Sequence, residues 1–220
     1  MNQLLKQILF LPIALLLFAA CSNEDGASLQ LCESVVSFVE NNNGKVLFEY
    51  QEINDSPIIR LSAQGSLEDS RVKKGTRLLL RYTMPTGVDP RKGGEIGVVG
   101  LKLTLADTVT TVTDVPTDLG AIYLTTIERS GEYINLTAEL PNVEKRQITI
   151  VTPETEVPAD GIADLFIDFQ HEESPTSYET ASVASLWIGP MWEQEKIKGV
   201  RIHVNNSNNP YRNEFTFLKK

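Results

Sequence analysis

The chain has 220 residues and a formal net charge of −9. An acidic surface excludes nucleic acid as a partner, because that affinity comes mostly from Lys and Arg against phosphate, and it weighs equally against anionic lipid headgroups. A hydrophobic content of 41% is that of a globular protein, and a chain of this length buries a good core as one large or two small domains.

The chain opens with Lys6, an apolar run from Ile8 to Phe18, and the small pair Ala19-Ala20. Basic, apolar and small regions in that order read as a signal peptide over residues 1–20. The run is shorter than the ~20 residues a membrane helix needs, and Pro12 interrupts it. Cys21 directly after Leu17-Phe18-Ala19-Ala20 resembles the lipobox of bacterial lipoproteins. The resemblance implies cleavage before Cys21 and a diacylglycerol on its sulfur, so that the partner at this end is a membrane. Ser22, Asn23, Glu24 and Asp25 resemble the export signal of lipoproteins from a phylum of gut-dwelling Gram-negative bacteria. That implies the outer membrane, facing the cell exterior. Residues 21–32 are expected to form an acidic, polar tether. With Cys21 acylated, Cys32 has no partner for an intramolecular disulfide, and it reads as a half-buried small apolar residue.

From there the sequence is a series of short β-rich runs between turn signals, which predicts an all-β protein. Val35–Val39 and Val46–Gln51 flank Glu40-Asn41-Asn42-Asn43-Gly44-Lys45, whose Asn-Gly suits a tight hairpin turn. Pro57–Leu61 is a third run. Thr76–Met84 is a fourth, with Thr76, Leu78, Leu80 and Tyr82 on one face and Arg77, Leu79, Arg81 and Thr83 on the other. Gly97–Leu105 alternates too. Gln51–Leu61 and Leu67–Val72 are the places for a short helical turn. Thr108–Leu119 lacks clean alternation, and Val115-Pro116-Thr117-Asp118 reads as a domain boundary. Seven runs follow: Ile122–Thr126, Ile134–Ala138, Gln147–Val151, Ala163–Phe169, Ala181–Ile188, Val200–Val204 and Phe215–Phe217. That number over roughly 100 residues is what a two-sheet sandwich needs. The expected architecture is a small OB-like barrel over 33–118 followed by a β-sandwich over 119–220.

A lipidated N-terminus, a five-strand first half, Lys74-Gly75-Thr76-Arg77 opening a strand that ends in Tyr82, and a strand-rich second half with Leu165–His171 together resemble the NigD-like lipoproteins. The resemblance implies an N-terminal OB-type domain and a C-terminal sandwich. It also implies a non-catalytic binding module, of the bacteriocin-immunity kind; the alternative is an accessory component of a surface glycan-uptake or fimbrial assembly. It carries over no catalytic residue.

The residues themselves point away from an enzyme. The sequence has no H-E-x-x-H and no G-x-S-x-G, and Lys92-Gly93-Gly94-Glu95-Ile96-Gly97 lacks the Gly-Lys-Ser/Thr of a phosphate loop. His171 beside Glu172-Glu173 lacks zinc spacing, so no metal and no cofactor are expected. Asp164 and Asp168 share one strand face and read as a polar outer surface, as do Arg201 and His203. Trp187 and Trp192 flank a turn. They read either as core at a strand end or as aromatic contacts for a sugar ring or partner. Asn206, Asn208 and Tyr211 lie in a polar loop, which is either a plain connection or a hydrogen-bonding site for a glycan or protein. Asp107-Thr108-Val109 resembles a short O-glycosylation sequon of the same phylum, at Thr108, where a place near the boundary would leave it accessible.

Overall fold

The structure, a computed structural model, describes residues 28–154, 158–173 and 178–219. The signal peptide expected over residues 1–20, Cys21 and the segment Ser22–Asp25 lie outside the described residues. The chain is nearly all β.

Strands β1 (Leu29–Asn42), β2 (Lys45–Tyr50), β3 (Ile59–Gln64), β4 (Arg77–Pro85) and β5 (Gly94–Leu103) close a barrel in the order β1-β2-β3-β5-β4. The β1–β2 turn is the expected Asn-Gly: Asn43 and Gly44 both take positive φ, 50° and 75°, which Asn and Gly tolerate best. The inward face of the alternating pattern fills the barrel. Val36, Phe48, Leu61, Leu78, Leu80 and Tyr82 are all buried. Leu29–Cys32, assigned to the tether from sequence, instead pair with β4 from Pro85 to Tyr82. Pairing along β4 gives that segment backbone partners a polar tether would lack. Cys32 is half-buried against the barrel core.

The second unit is two packed sheets. One runs β6 (Leu105–Thr108), β12 (Glu179–Trp187), β9 (Tyr133–Pro141), β8 (Tyr123–Ser130). The other runs β14 (Glu214–Leu218), β13 (Gly199–Val204), β11 (Ile162–His171), β10 (Arg146–Pro153), β7 (Thr110–Val112). Ile134, Leu136, Ile150, Leu165, Ile167, Leu186 and Ile202 meet between the sheets as one core. The pairing moves the division between the units from Asp118 to Thr104. β6 lies parallel to β12 and β7 parallel to β10, so the chain joins the sandwich at Leu105.

The short helical turns fall at Pro90–Lys92 and at α1 (Gly189–Trp192), not at Gln51–Leu61 or Leu67–Val72. Asp164 and Asp168 do share the outer face of β11, but neither is a free surface carboxylate. Asp164 accepts from Arg201 (3.2 Å) and from the ring of His203 (2.7 Å). Asp168 is buried because the loop ahead of β8 crosses it, and its carboxylate accepts the Gly120 N–H at 2.8 Å.

Candidate functional site

Between barrel and sandwich runs a groove of about 1020 Å³. One wall is the outer face of the barrel, with Glu33 and Val35 from β1, Leu79 and Arg81 from β4, and Lys102 from β5. The other is the outer face of the β9–β12 sheet, with Asn135, Thr137, Ala181 and Val183, and Glu128 of β8 at its edge. Period-2 alternation puts these residues here: the core takes one face of each strand, and the opposite faces look at each other across the groove.

Two arginines hold the walls in place, one from each unit. Arg77 is the first residue of β4, on the barrel's outer face. It reaches into the sandwich and is 6% exposed. Its Nε donates to Ser185 Oγ (2.8 Å), one terminal nitrogen to Ser37 Oγ (2.9 Å) and the other to Asn135 Oδ1 (3.4 Å). Its guanidinium lies 4.1 Å from the ring centre of Tyr133. Burial lowers its pKa to about 10. Among the described residues its partners are neutral, so hydrogen bonds and the aromatic face do the work of a counter-ion.

Arg129 of β8 reaches the other way. Its side chain is fully buried and makes a bidentate pair with Asp55 of the barrel's β2–β3 loop, at 2.8 and 2.7 Å. It also donates to Gly131 O (2.7 Å) and stacks on Trp192 at 4.3 Å. The same loop is stitched to the β8–β9 turn by backbone: Asn54 N–H to Arg129 O (2.6 Å), Gly131 N–H to Asn54 O (2.7 Å), and Ser130 Oγ to Gln51 O (2.6 Å). Two buried cations and paired backbone bind this joint more closely than the loose contact typical between domains.

The groove mixes charge and apolar surface. Arg81 pairs with Glu33 at 2.7 Å and Arg91 with Asp89 at 3.0 Å. At the base, burial and a hydrogen bond with Tyr82 push the Tyr50 hydroxyl well above its ordinary range. Burial, and then the nearby Glu52 charge from the barrel side, raise the Glu128 carboxyl. Donors, acceptors and small apolar patches side by side suit an extended peptide or a glycan strand.

A second cavity of about 600 Å³ lies over the other sheet, under Val115–Leu119. Its His203 is engaged, with Asp164 at 2.7 Å, Glu214 at 3.5 Å and Phe166 stacked at 4.5 Å.

The site residues named from sequence do not gather in one place. Trp187 is 37% exposed and donates from Nε1 to Glu132 (3.1 Å). Trp192 is buried under Arg129 and Lys219, which leaves no ring face for a ligand. Asn206 is buried too. Its amide accepts from Asn208 and Asn209 N–H and donates to Arg212 O, so it builds the loop and has no surface to offer. Asn208 donates to Leu124 O (2.8 Å), and Tyr211 is fully exposed. Leu124 and Arg129 lie toward opposite ends of β8, so the tryptophans and the asparagine loop are roughly 17 Å apart along it. Thr108 is not on an open linker. It is half-buried in β6 opposite Trp187, Asp107 accepts the Ile150 N–H, and Val109 is buried.

The groove residues were not singled out from sequence. Arg77 was placed on the correct face of its strand, but nothing local says that another unit covers that face. Arg129 and Asp55 carry no motif at all, and Arg129 lies beyond the run Ile122–Thr126 that reads as a strand.

The sequence matches no protein-family model and no curated protein. Solved structures do match. A protein of unknown function from Bacteroides vulgatus aligns at TM-score 0.62 and 16% identity, over 86% of this chain and 90% of that one. A NigD-like immunity protein from Bacteroides caccae aligns at TM-score 0.55 and 13% identity, over 90% of this chain and 100% of that one. This chain has the NigD-like fold. A candidate lipoprotein from Bacteroides fragilis shares it at TM-score 0.57 and 16% identity, over 86% of this chain and 96% of that one. The NigD-like fold thus spans barrel and sandwich together, the arrangement that forms the groove.

Proposed function

We propose that this protein is a lipid-anchored outer-membrane lipoprotein, facing the cell exterior, whose groove binds a protein or glycan partner without chemical turnover. The observation that carries the reading is the groove itself, held between two units joined by Arg77 and Arg129. Cys21 is the acylated residue and Ser22–Asp25 the export signal in this reading. Likeness to a NigD-like immunity protein favours one form of it, in which the partner is a bacteriocin intercepted outside the cell.

The test is site-specific photo-crosslinking on intact producing cells, with the crosslinker at Thr137 or Lys102 in the groove and at Glu195 as control. Groove positions are expected to give one discrete adduct that the control lacks. Equal labelling from all three positions would refute the reading. Deleting the gene is expected to raise sensitivity to the intercepted toxin; unchanged sensitivity would remove the immunity form and leave the binding role.

A further inference from the structure

The barrel carries a strip of uncovered aliphatic side chains where the chain enters it. Leu29, Leu31 and Val99 are 61%, 62% and 60% exposed. Leu29 pairs with Pro85 and Leu31 with Thr83 across β1 and β4, and Thr83 pairs with Gly97 across β4 and β5. Residues opposite one another in a ladder share a face. The register then shifts, with Tyr82 opposite Val98 and Arg81 opposite Gly100, so Val99 is the extra residue that bulges out beside the strip. Gly97 keeps the strip shallow, since a Cβ there would lie 2.8 Å from Thr83 Oγ1. On the groove side the strip stops at the Arg81–Glu33 pair. Scattered exposed leucines need no explanation, but a strip across three adjacent strands with a polar border does.

We infer that this strip rests on the lipid surface that holds the anchor, an inference built on the lipid-anchor reading above. The chain enters at this face: Ser28 O accepts the Thr86 N–H at 2.7 Å, which fixes the entry point beside Leu29. Cys21 stands seven positions before Ser28, a reach of at most about 25 Å. The headgroup layer of one leaflet takes up roughly 5–8 Å of it. Acyl chains on Cys21 therefore keep the strip within reach of the membrane, while the sandwich meets the same strands farther along, beyond the Arg81–Glu33 pair. The contact is aliphatic, because a net charge of −9 gives no attraction to anionic headgroups. It would set the mouth of the groove at a fixed angle to the membrane.

The test imposes the anchor chemically. The chain from Cys21 onward, with Cys32→Ser, is coupled through Cys21 to phosphatidylcholine vesicles containing maleimide lipid and brominated acyl chains. Leu31→Trp, Val99→Trp and, as control, Tyr211→Trp are compared with the parent. Tryptophan at 31 and 99 is expected to shift to the blue and lose roughly half its added emission, as for side chains sunk into the headgroup–acyl boundary, while that at 211 stays unquenched. Leu31→Trp emission as unquenched as the control would overturn the inference, and so would equal quenching at all three positions. The anchor is read separately from the mass of the N-terminal peptide of chain isolated from cells. An unmodified Cys21 there would sink the anchor and leave the vesicle result standing on its own.

Discussion

Arg77 and Arg129 are both buried cations, but their surroundings differ, and so do the expected effects of removing them. Arg129 has a carboxylate partner, and Asp55→Ala would strand a fully buried guanidinium. That substitution is expected to lower unfolding stability by about 3 kcal/mol, read from urea titrations. Arg129→Met keeps the contact with Trp192 without leaving a buried charge and is expected to cost less. Among the described residues Arg77 has only neutral partners. Arg77→Ala opens a cavity and takes a donor from Ser37, Ser185 and Asn135, although Ser185 Oγ still donates to Asn135 Oδ1 at 2.7 Å, for about 2–3 kcal/mol; Arg77→Met fills the space, removes the buried charge and is expected to cost about half of that. Glu128 sets a pH dependence. Its folded pKa lies above the ordinary 4.5 through burial and Glu52. The native state therefore holds that proton more tightly than the unfolded chain, and this contribution to stability is present at low pH and is lost as pH rises through the raised value. Glu128→Gln is expected to raise the urea midpoint at pH 7 but not at pH 4. The gain is small because the carboxyl is only partly buried and solvent screens it. An equal gain at both pH values would disprove that origin.

At the scale of elements, the loop from Val115 to Gly120 is the part most exposed to a single change. A Cβ on Gly120 would lie 1.7 Å from Phe169 O of β11. Gly120→Ala must lift the loop off the sheet and strip Asp168 of its backbone donor, so it is expected to cost about 3 kcal/mol or more. The measurement is a loss of amide-exchange protection at Gly120, with β9 unaffected. This loop also shows why some of the fold was legible in the sequence and some was not. The alternation in Thr76–Met84 and Ala163–Phe169 marked core faces correctly, and Asn43-Gly44 marked its turn, because those signals are local. β6 and β7 were missed. They are edge strands of four and three residues held by parallel partners far along the chain, and so short a strand has no period of its own. Asp168 is on the outer face as expected but was taken for solvated surface, because the strand pattern does not show which loop will cross it.

For the whole molecule, the groove is a property of neither unit alone. Its walls are outer faces, polar enough in sequence to pass for solvated surface, and they become a site only when the two units are fixed side by side. That is why Lys102, Thr137 and Val183 drew no notice in the sequence while Trp192 and Asn206, which turned out to be structural, did. Fixation predicts that barrel and sandwich unfold in a single transition. The most direct measurement uses spin labels on Lys102→Cys and Ala181→Cys, one on each wall, in a chain with Cys21→Ser and Cys32→Ser. A rigid joint predicts one narrow distance distribution, broadened when Arg77→Ala and Asp55→Ala are introduced together. A distribution already broad with both arginine contacts intact would contradict the account.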